Sequence, residues 1–519
     1  MAGMIETHAD TSGRPPTREA VHSPRYVTDP VVDWNDVAIE AILVDSKPRN
    51  LVPLDENTVL ITRDQDGVTR ASRAMAMVHA AMYNAVVGLV GGYRPYIRPP
   101  YSDLPERPAQ PDLAAAVGSA ARTILSWLYP SQRRHFDQAF LDIVGRSREE
   151  PSIRPSITFG YNVAVRVWNT RVNDGSNRRR PYNPPRRPGL WRPDLVDPAQ
   201  KALDPHWGRV EPFLISQADV EEILRDLGPP PGYKGQAGDG YPAAYDLSDP
   251  AYREAREEVL VRGAPPADGN STDPRKLNAV FWSYDEGRGT PVRLYNQALR
   301  SIAFASNLDV VGHARLFLYG NLVMADAAIV AWRIKYEYGL WRPVHAANLD
   351  ELDPVRWIPF GKRPPYPPRD SCSPPFPAYV SGHSTLGNAV FNAAAHALAE
   401  TGQASSGVTL ATDEPPRVCV AYPTLGDAAR ANDESRIDLG VHFRFDTERG
   451  AQAGAMVEKK ARDGLPEGTG VSKAMERGEQ EIGPPFEVVD YREFVGEAGF
   501  ASIYAQRYAD EAREIDEVR

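Results

Sequence analysis

From about Trp34 to Arg462, apolar residues recur at spacings of three and four, which predicts helices rather than strands. The clearest run, Ala71-Ser-Arg-Ala-Met-Ala-Met-Val-His-Ala-Ala-Met-Tyr-Asn-Ala-Val, lies within residues 64–93, and residues 112–144 repeat the signature through Ala-rich and Leu/Trp/Phe positions. Helical patterning returns from Asn278: Phe281-Trp-Ser-Tyr-Asp285 opens it, Arg293 to Ala305 continues it, and Val311 to Tyr338 is a long amphipathic run. Further helices are predicted from His383 to about Thr401, from Pro423 to Leu439 and from Thr447 to Arg462. Strand patterns are sparse. The expected fold is all-α, with two helical bundles packed together and long Pro-rich connections. An N-terminal helical half covers 31–270, and a C-terminal helical bundle at 271–465 carries the candidate site. Residues 1–30 are polar and aperiodic, as a loosely held tail would be, and 466–519 is an acidic tail with one or two short elements.

Several local features have a plain structural reading. His79 lies on an apolar helix face and reads as a hydrogen-bonded core histidine. The connection Arg178-Arg-Arg-Pro-Tyr-Asn-Pro-Pro-Arg-Arg-Pro-Gly-Leu-Trp-Arg is rich in both cations and prolines. Its prolines fix an extended path and its arginines can pair with the surplus acids, so it reads as a solvated wrapping loop rather than a nucleic-acid patch. Gly232-Tyr-Lys-Gly-Gln-Ala-Gly-Asp-Gly follows no strand and lacks a Lys-Ser/Thr ending, so it is a turn and not a phosphate loop.

Composition narrows the classes. Proline is frequent, 48 in 519 residues, against an expectation of about 5%, consistent with long ordered connections. The formal charge is −10 with acids spread along the chain, so no general affinity for nucleic acid or an anionic membrane is expected. The two cysteines, Cys372 and Cys419, form no CxxC pair; a zinc site is not implied, and whether they pair with each other stays open. No basic n-region with an apolar h-region opens the chain and no window of 18 or more apolar residues occurs, so a cytoplasmic location without membrane insertion is the expectation. Oligomeric state is open, a homo-oligomer included.

Three stretches carry candidate chemistry. Lys335 and Arg342 stand seven apart in Trp332-Arg-Ile-Lys-Tyr-Glu-Tyr-Gly-Leu-Trp-Arg-Pro343, a spacing that would place both cations on one helical face. Phe376-Pro-Ala-Tyr-Val-Ser-Gly-His383 brings Ser381, the Gly382 N–H and His383 to a helix N-terminus, whose donors and dipole suit an oxyanion. Ser435-Arg-Ile-Asp-Leu-Gly-Val-His-Phe-Arg-Phe-Asp446 adds a third cation, Arg436, and a second histidine, His442, with Asp446 four residues on to fix its tautomer. Each stretch alone has a bland reading: a solvated helix face, an N-cap, an i,i+4 contact. Together they describe a cage for a multiply charged oxyanion.

In this order the stretches, Lys-x6-Arg-Pro, Ser-Gly-His and Ser-Arg-x3-Gly-Val-His-x3-Asp, resemble those of the vanadium-dependent haloperoxidases and their relatives, the type 2 phosphatidic acid phosphatases. The likeness extends through Phe281-Trp-Ser-Tyr-Asp285, Thr290-Pro-Val-Arg-Leu-Tyr-Asn-Gln, Ala314-Arg-Leu-Phe, Trp332 and Pro374-Pro-Phe-Pro-Ala-Tyr. The resemblance implies vanadate as cofactor, ligated through His442 and held by Lys335, Arg342, Ser381, Gly382 and Arg436. His383 is then the acid–base group, Lys335 polarises bound peroxide, and Asp285 pairs with Arg436. Phe376, seven residues before His383, and Trp332 match the halide region of chloride-oxidising members. Hydrogen peroxide, halide and a small organic acceptor are the implied partners. The chain departs from the fungal pattern at Val380, where proline usually precedes Ser-Gly-His, and at Phe443, where tryptophan is common. Three other readings remain open at this stage. One is a soluble acid phosphatase working through a phosphohistidine at His442, another a silent phosphate-binding scaffold, and the third a selective halogenation of a biosynthetic intermediate.

Overall fold

The apolar spacing is realised as helix almost throughout a computed structural model that describes residues 29–46, 64–65, 67–96, 104–144, 150–266, 273–284, 289–348, 357–362, 373–402, 407–411 and 419–468. Among these the helices are α1 (Pro30–Ser46), α2 (Gly67–Val90), α3 (Leu113–Leu128), α4 (Arg133–Val144), α5 (Glu150–Arg171), α6 (Gln217–Leu227), α7 (Pro250–Arg262), α8 (Pro274–Phe281), α9 (Thr290–Ala305), α10 (Val310–Tyr338), α11 (Pro343–Ala347), α12 (Gly382–Glu400), α13 (Leu425–Asp438) and α14 (Arg444–Ala461). One two-stranded sheet pairs β1 (Val408–Ala411) with β2 (Cys419–Tyr422). The fold is all-α. Most of both expected tails, Asp285, Cys372 and most of the 350–377 connection lie outside the described residues.

Helix α6 buries a regular stripe of Val220, Ile223, Leu224 and Leu227, whereas α7 buries only Tyr252, Ala255 and Val259 and is weak in the apolar pattern. Their ends are better marked. Ser216 and Asp219 cap α6 reciprocally, and Asp249 accepts the Tyr252 N–H at the start of α7.

Helix α10 is the centre of the packing, touching α2, α12 and α14. The expected amphipathic stripe is replaced by burial on every face, since Leu316 to Trp332 is buried without a break. Each large apolar side chain in that stretch contributes about 2 kcal/mol as an upper estimate. Helices α2 and α10 are long and apolar enough to cross a membrane, yet both are packed inside the fold, as core helices are. Among the apolar residues of α10 sits one acid, Asp326, fully buried. Its carboxylate accepts the N–H groups of Phe213 (2.6 Å), Leu214 (2.8 Å) and Ile215 (3.1 Å), tying the segment before α6 to the middle of α10.

Helices α12 and α14 approach closely because glycines face α12. A Cβ at Gly454 would lie 2.4 Å from the Thr385 carbonyl oxygen and 2.9 Å from the Ala389 nitrogen, and one at Gly450 would lie 2.9 Å from the Ser381 carbonyl oxygen. The Arg- and Pro-rich connection wraps the end of α10. Trp191 N–H donates to Gly339 O (2.7 Å), Trp341 N–H donates to Gly189 O (2.8 Å), and Arg187 pairs with Asp239 at 2.5 Å. His79 is buried, its Nε2 3.2 Å from Asn35 Oδ1 and its ring stacked on Phe317 at 5.0 Å.

Candidate active site

Five helix ends deliver the candidate residues. Lys335 lies in the last turn of α10, which stops where Gly339 takes φ +57° and returns its N–H to Lys335 O at 2.8 Å. Arg342 is therefore not on the same helix as Lys335, as the seven-residue spacing suggested. It has an extended backbone and is the N-cap of α11, because Pro343 disfavours helix at the residue before it. Ser381 caps α12, with Gly382 and His383 as its first residues. Arg436 is in the last turn of α13. Gly440, at φ +80° and with Gly263, Pro359 and Trp357 crowding any Cβ, turns the chain so that His442 precedes α14.

His442 is the meeting point. Its Nε2 is 3.0 Å from Arg342 Nη1 and its Nδ1 is 3.0 Å from Asp446 Oδ2. An arginine can only donate, so Nε2 carries the lone pair and Nδ1 the proton that Asp446 accepts. Burial holds His442 well below the usual histidine range, and the positive charges of Arg342, Lys335, Arg436 and His383 add to that effect. The ring is neutral, with a lone pair turned toward cations. Asp446 also accepts the Phe443 N–H at 3.0 Å, so one carboxylate caps α14 and sets the tautomer of His442. Burial pushes this carboxyl up to about 7, opposed by the Phe443 N–H and the charges of Lys335 and Arg342. The Asp446 carbonyl in turn accepts the Ser381 N–H at 2.8 Å, fastening the start of α12 to α14.

Lys335 and Arg342 both grip the segment before Ser381. Lys335 Nζ donates to the carbonyls of Pro377 (2.8 Å), Ala378 (3.0 Å) and Val380, and Arg342 Nε donates to Phe376 O at 2.9 Å. Both cations are fully buried. Burial holds Lys335 well below its ordinary value, the neighbouring Arg342 charge adds to this, and Asp446 opposes it. The protons of Lys335 thus point at loop carbonyls in this arrangement, and its charge is what it presents to the site.

An aromatic wall stands beside the cations. The Phe376 ring lies 4.8 Å from Trp332, with Arg342 Cζ at 4.8 Å and Lys335 Nζ at 5.0 Å from the Phe376 centroid. Trp332 Nε1 and Tyr336 Oη both donate to Leu203 O, at 3.1 and 2.6 Å, and Leu203 N–H donates to Pro375 O at 2.8 Å. Residues that sequence reasoning assigned no role hold the rest. Tyr295 Oη (2.8 Å) and Asn432 Nδ2 (3.0 Å) donate to His383 O, and Arg436 Nη1 donates to Trp282 O at 3.3 Å. Asn432 and Arg436 share a face of α13 by their spacing of four, which was a legible signal. Tyr295 and Leu203 gave none beyond an apolar or loop position.

The donor set suits an oxyanion rather than a divalent cation. No three His, Cys, Asp or Glu side chains converge as metal ligands among the described residues. Three buried cations surround one neutral imidazole, and at Gly382 a Cβ would meet only Trp332 at 3.6 Å and Lys335 at 4.0 Å, which leaves a small open cradle beside the α12 N-terminus.

Comparison with known proteins agrees with this chemistry. Residues 315–465 match the family model described as the VCPO second helical-bundle domain. The vanadium chloroperoxidase of Curvularia inaequalis is 26% identical over an alignment of 429 residues that covers 70% of this chain and 65% of that protein. The chain therefore spans just under two thirds of the curated relative it matches. The structure of the first bacterial vanadium-dependent iodoperoxidase superposes with a TM-score of 0.65 at 19% identity, covering 86% of this chain and 98% of that one. A holo-type bacterial vanadium-dependent chloroperoxidase gives a TM-score of 0.56 at 18% identity, covering 81% and 95%. At these identities the structural likeness is one of fold. The chain resembles the vanadium haloperoxidases in sequence and shares their helical architecture.

Proposed function

We propose that this chain is a vanadate-dependent haloperoxidase that oxidises chloride and bromide with hydrogen peroxide, releasing hypohalous acid or halogenating a small organic acceptor. One observation carries the reading: His442, its Nδ1 fixed on Asp446 at 3.0 Å, turns the Nε2 lone pair to Arg342 Nη1 at 3.0 Å, in a site with the buried cations Lys335, Arg342 and Arg436. In this reading His442 Nε2 would hold the vanadium, while Arg342, Arg436, the Lys335 charge, Ser381 Oγ and the Gly382 N–H would hold its oxygens. Bound vanadate would supply Lewis acidity that makes peroxide oxygen electrophilic toward halide. In the balance of the reaction the O–O bond breaks, the halide takes one oxygen, and the other leaves as water after taking up a proton. In this reading His383, at the helix start beside Ser381 and Gly382, would deliver that proton. The Phe376–Trp332 wall supports chloride as a substrate because it offers a dry, weakly polar surface beside two cations.

Asp446 fixes the His442 tautomer without touching substrate. Asp446→Asn keeps an acceptor for the Phe443 N–H but removes the charge behind His442, so vanadate affinity should fall about 10- to 100-fold, read by calorimetric titration of protein whose melting temperature is little changed. An unaltered affinity would remove Asp446 from the site.

The activity itself is tested by halogenation of a β-diketone acceptor with hydrogen peroxide and either chloride or bromide, in phosphate-free buffer, before and after incubation with orthovanadate. Vanadate-dependent consumption of the acceptor with chloride is the expected result, and consumption with bromide alone would keep the class and discard the Phe376 argument. Cleavage of p-nitrophenyl phosphate with no halogenation would mean that the same cage serves phosphorus through His442.

A further inference from the structure

A second pocket lies in the N-terminal half, across the Leu203–Trp207 loop from the aromatic wall. It is a cavity of about 320 Å³ bounded by α2, the ends of α3 and α5, and the turn that carries Ser176 and Arg179. Its walls are indoles. Trp127 and Trp168 lie 5.1 Å apart at 60°, and Trp127 is 37% exposed beside Tyr161 at 47% and Val172 at 44%, an apolar patch that the fold leaves open to solvent. The third indole, Trp207, is buried and sits 5.6 Å below the Arg70 guanidinium. Its Nε1–H has no acceptor among the described residues, although buried indole N–H groups ordinarily find one.

The charge lining this pocket is mostly positive. Arg70, Arg73 and Arg179 face a single carboxylate, Asp64. Arg70 is paired with Asp204 at 3.1 Å, Arg73 with Asp174 at 2.6 Å, and Asp64 accepts the Ser131 hydroxyl at 2.6 Å. Arg179, from the Arg178-Arg179-Arg180 run, is exposed and has no carboxylate partner among the described residues. The site therefore combines a tilted pair of indoles with one available guanidinium. We propose that it is a ligand site for a planar aromatic carboxylate, with the ring lying against the pocket side of the Trp127–Trp168 pair and the carboxylate on Arg179. The volume is at the small end of ligand pockets, which run from roughly 300 Å³ upward, and fits one or two fused rings. Nothing in this inference depends on the haloperoxidase reading.

The test is calorimetric titration of the full chain with 2-naphthoate, first without and then with excess inorganic phosphate as a competitor for the separate cationic cage. Saturable one-to-one binding is expected, weakened about tenfold or more by Arg179→Glu and by Trp127→Ala. Arg179 is exposed, so Arg179→Glu should leave the melting temperature unchanged, and Trp127→Ala, which also loses packing on Tyr161 and Trp168, is titrated well below its own melting temperature. The neutral 2-naphthalenemethanol should bind at least about tenfold more weakly, because it lacks the charge that Arg179 would meet. Affinity unchanged in both variants, equal affinity for the alcohol, displacement by phosphate, or no saturable binding would each overturn the assignment.

Discussion

His442→Ala is expected to lose vanadate binding by at least about two orders of magnitude, and halogenation with it, because it removes the Nε2 lone pair that Asp446 orients toward Arg342. The change leaves the frame in place. Asp446 keeps the Phe443 N–H, and Arg342 Nη1 keeps the Val441 carbonyl at 2.9 Å, so the turn between α13 and α14 retains its fastenings. The lost imidazole leaves a small cavity, worth about 1–3 kcal/mol by comparison with other core truncations. Vanadate titration by calorimetry, alongside thermal melting and the β-diketone assay, separates loss of the site from loss of the fold. Full halogenation by a well-folded His442→Ala protein would sink the ligand assignment.

Gly454→Val is expected to destabilise the fold by about 3 kcal/mol or more, at the upper end of what overpacking costs. The first added carbon would sit 2.4 Å from the Thr385 carbonyl oxygen, and a carbonyl inside a helix has no rotamer into which it can retreat. Relief must come from separating α12 and α14, whose contact also holds Ser381 through its N–H bond to Asp446 O. The midpoint of denaturant unfolding should fall, and the anion affinity of the folded fraction should fall with it. A loss below about 1 kcal/mol would show that the two helices can slide apart freely, contrary to the packing described.

The helical class was legible because α2, α9, α10, α12, α13 and α14 are long segments with apolar residues recurring at three and four, and their observed ends lie within a few residues of those read from spacing. The motif order also brought the right residues to one place, though for partly different reasons. Lys335 and Arg342 converge because α10 ends at Gly339 and the chain doubles into α11, whereas helical spacing would have kept them on a single rod. The protons of Lys335 go to Pro377, Ala378 and Val380, a partnership set by a 42- to 45-residue separation that no local pattern encodes. The same holds for Leu203 O beneath Trp332 and for Tyr295 beneath His383 O. Side-chain types at fixed spacing reveal which groups a reaction needs. Backbone carbonyls, which every residue possesses, leave no such mark.

Asp326 bears on how far this protein can be divided. A carboxylate in the middle of the most buried helix is tolerable only while Phe213, Leu214 and Ile215 supply their N–H groups. A piece cut to the 315–465 region matched by the family model would contain the acid without its three donors and without α2, leaving a core face of α10 uncovered. Helix α10 is thus not a transplantable cassette. Its inheritance is tied to a short stretch of chain more than a hundred residues upstream, so recombination between relatives that separates the two would be selected against even where every residue of the cage is retained.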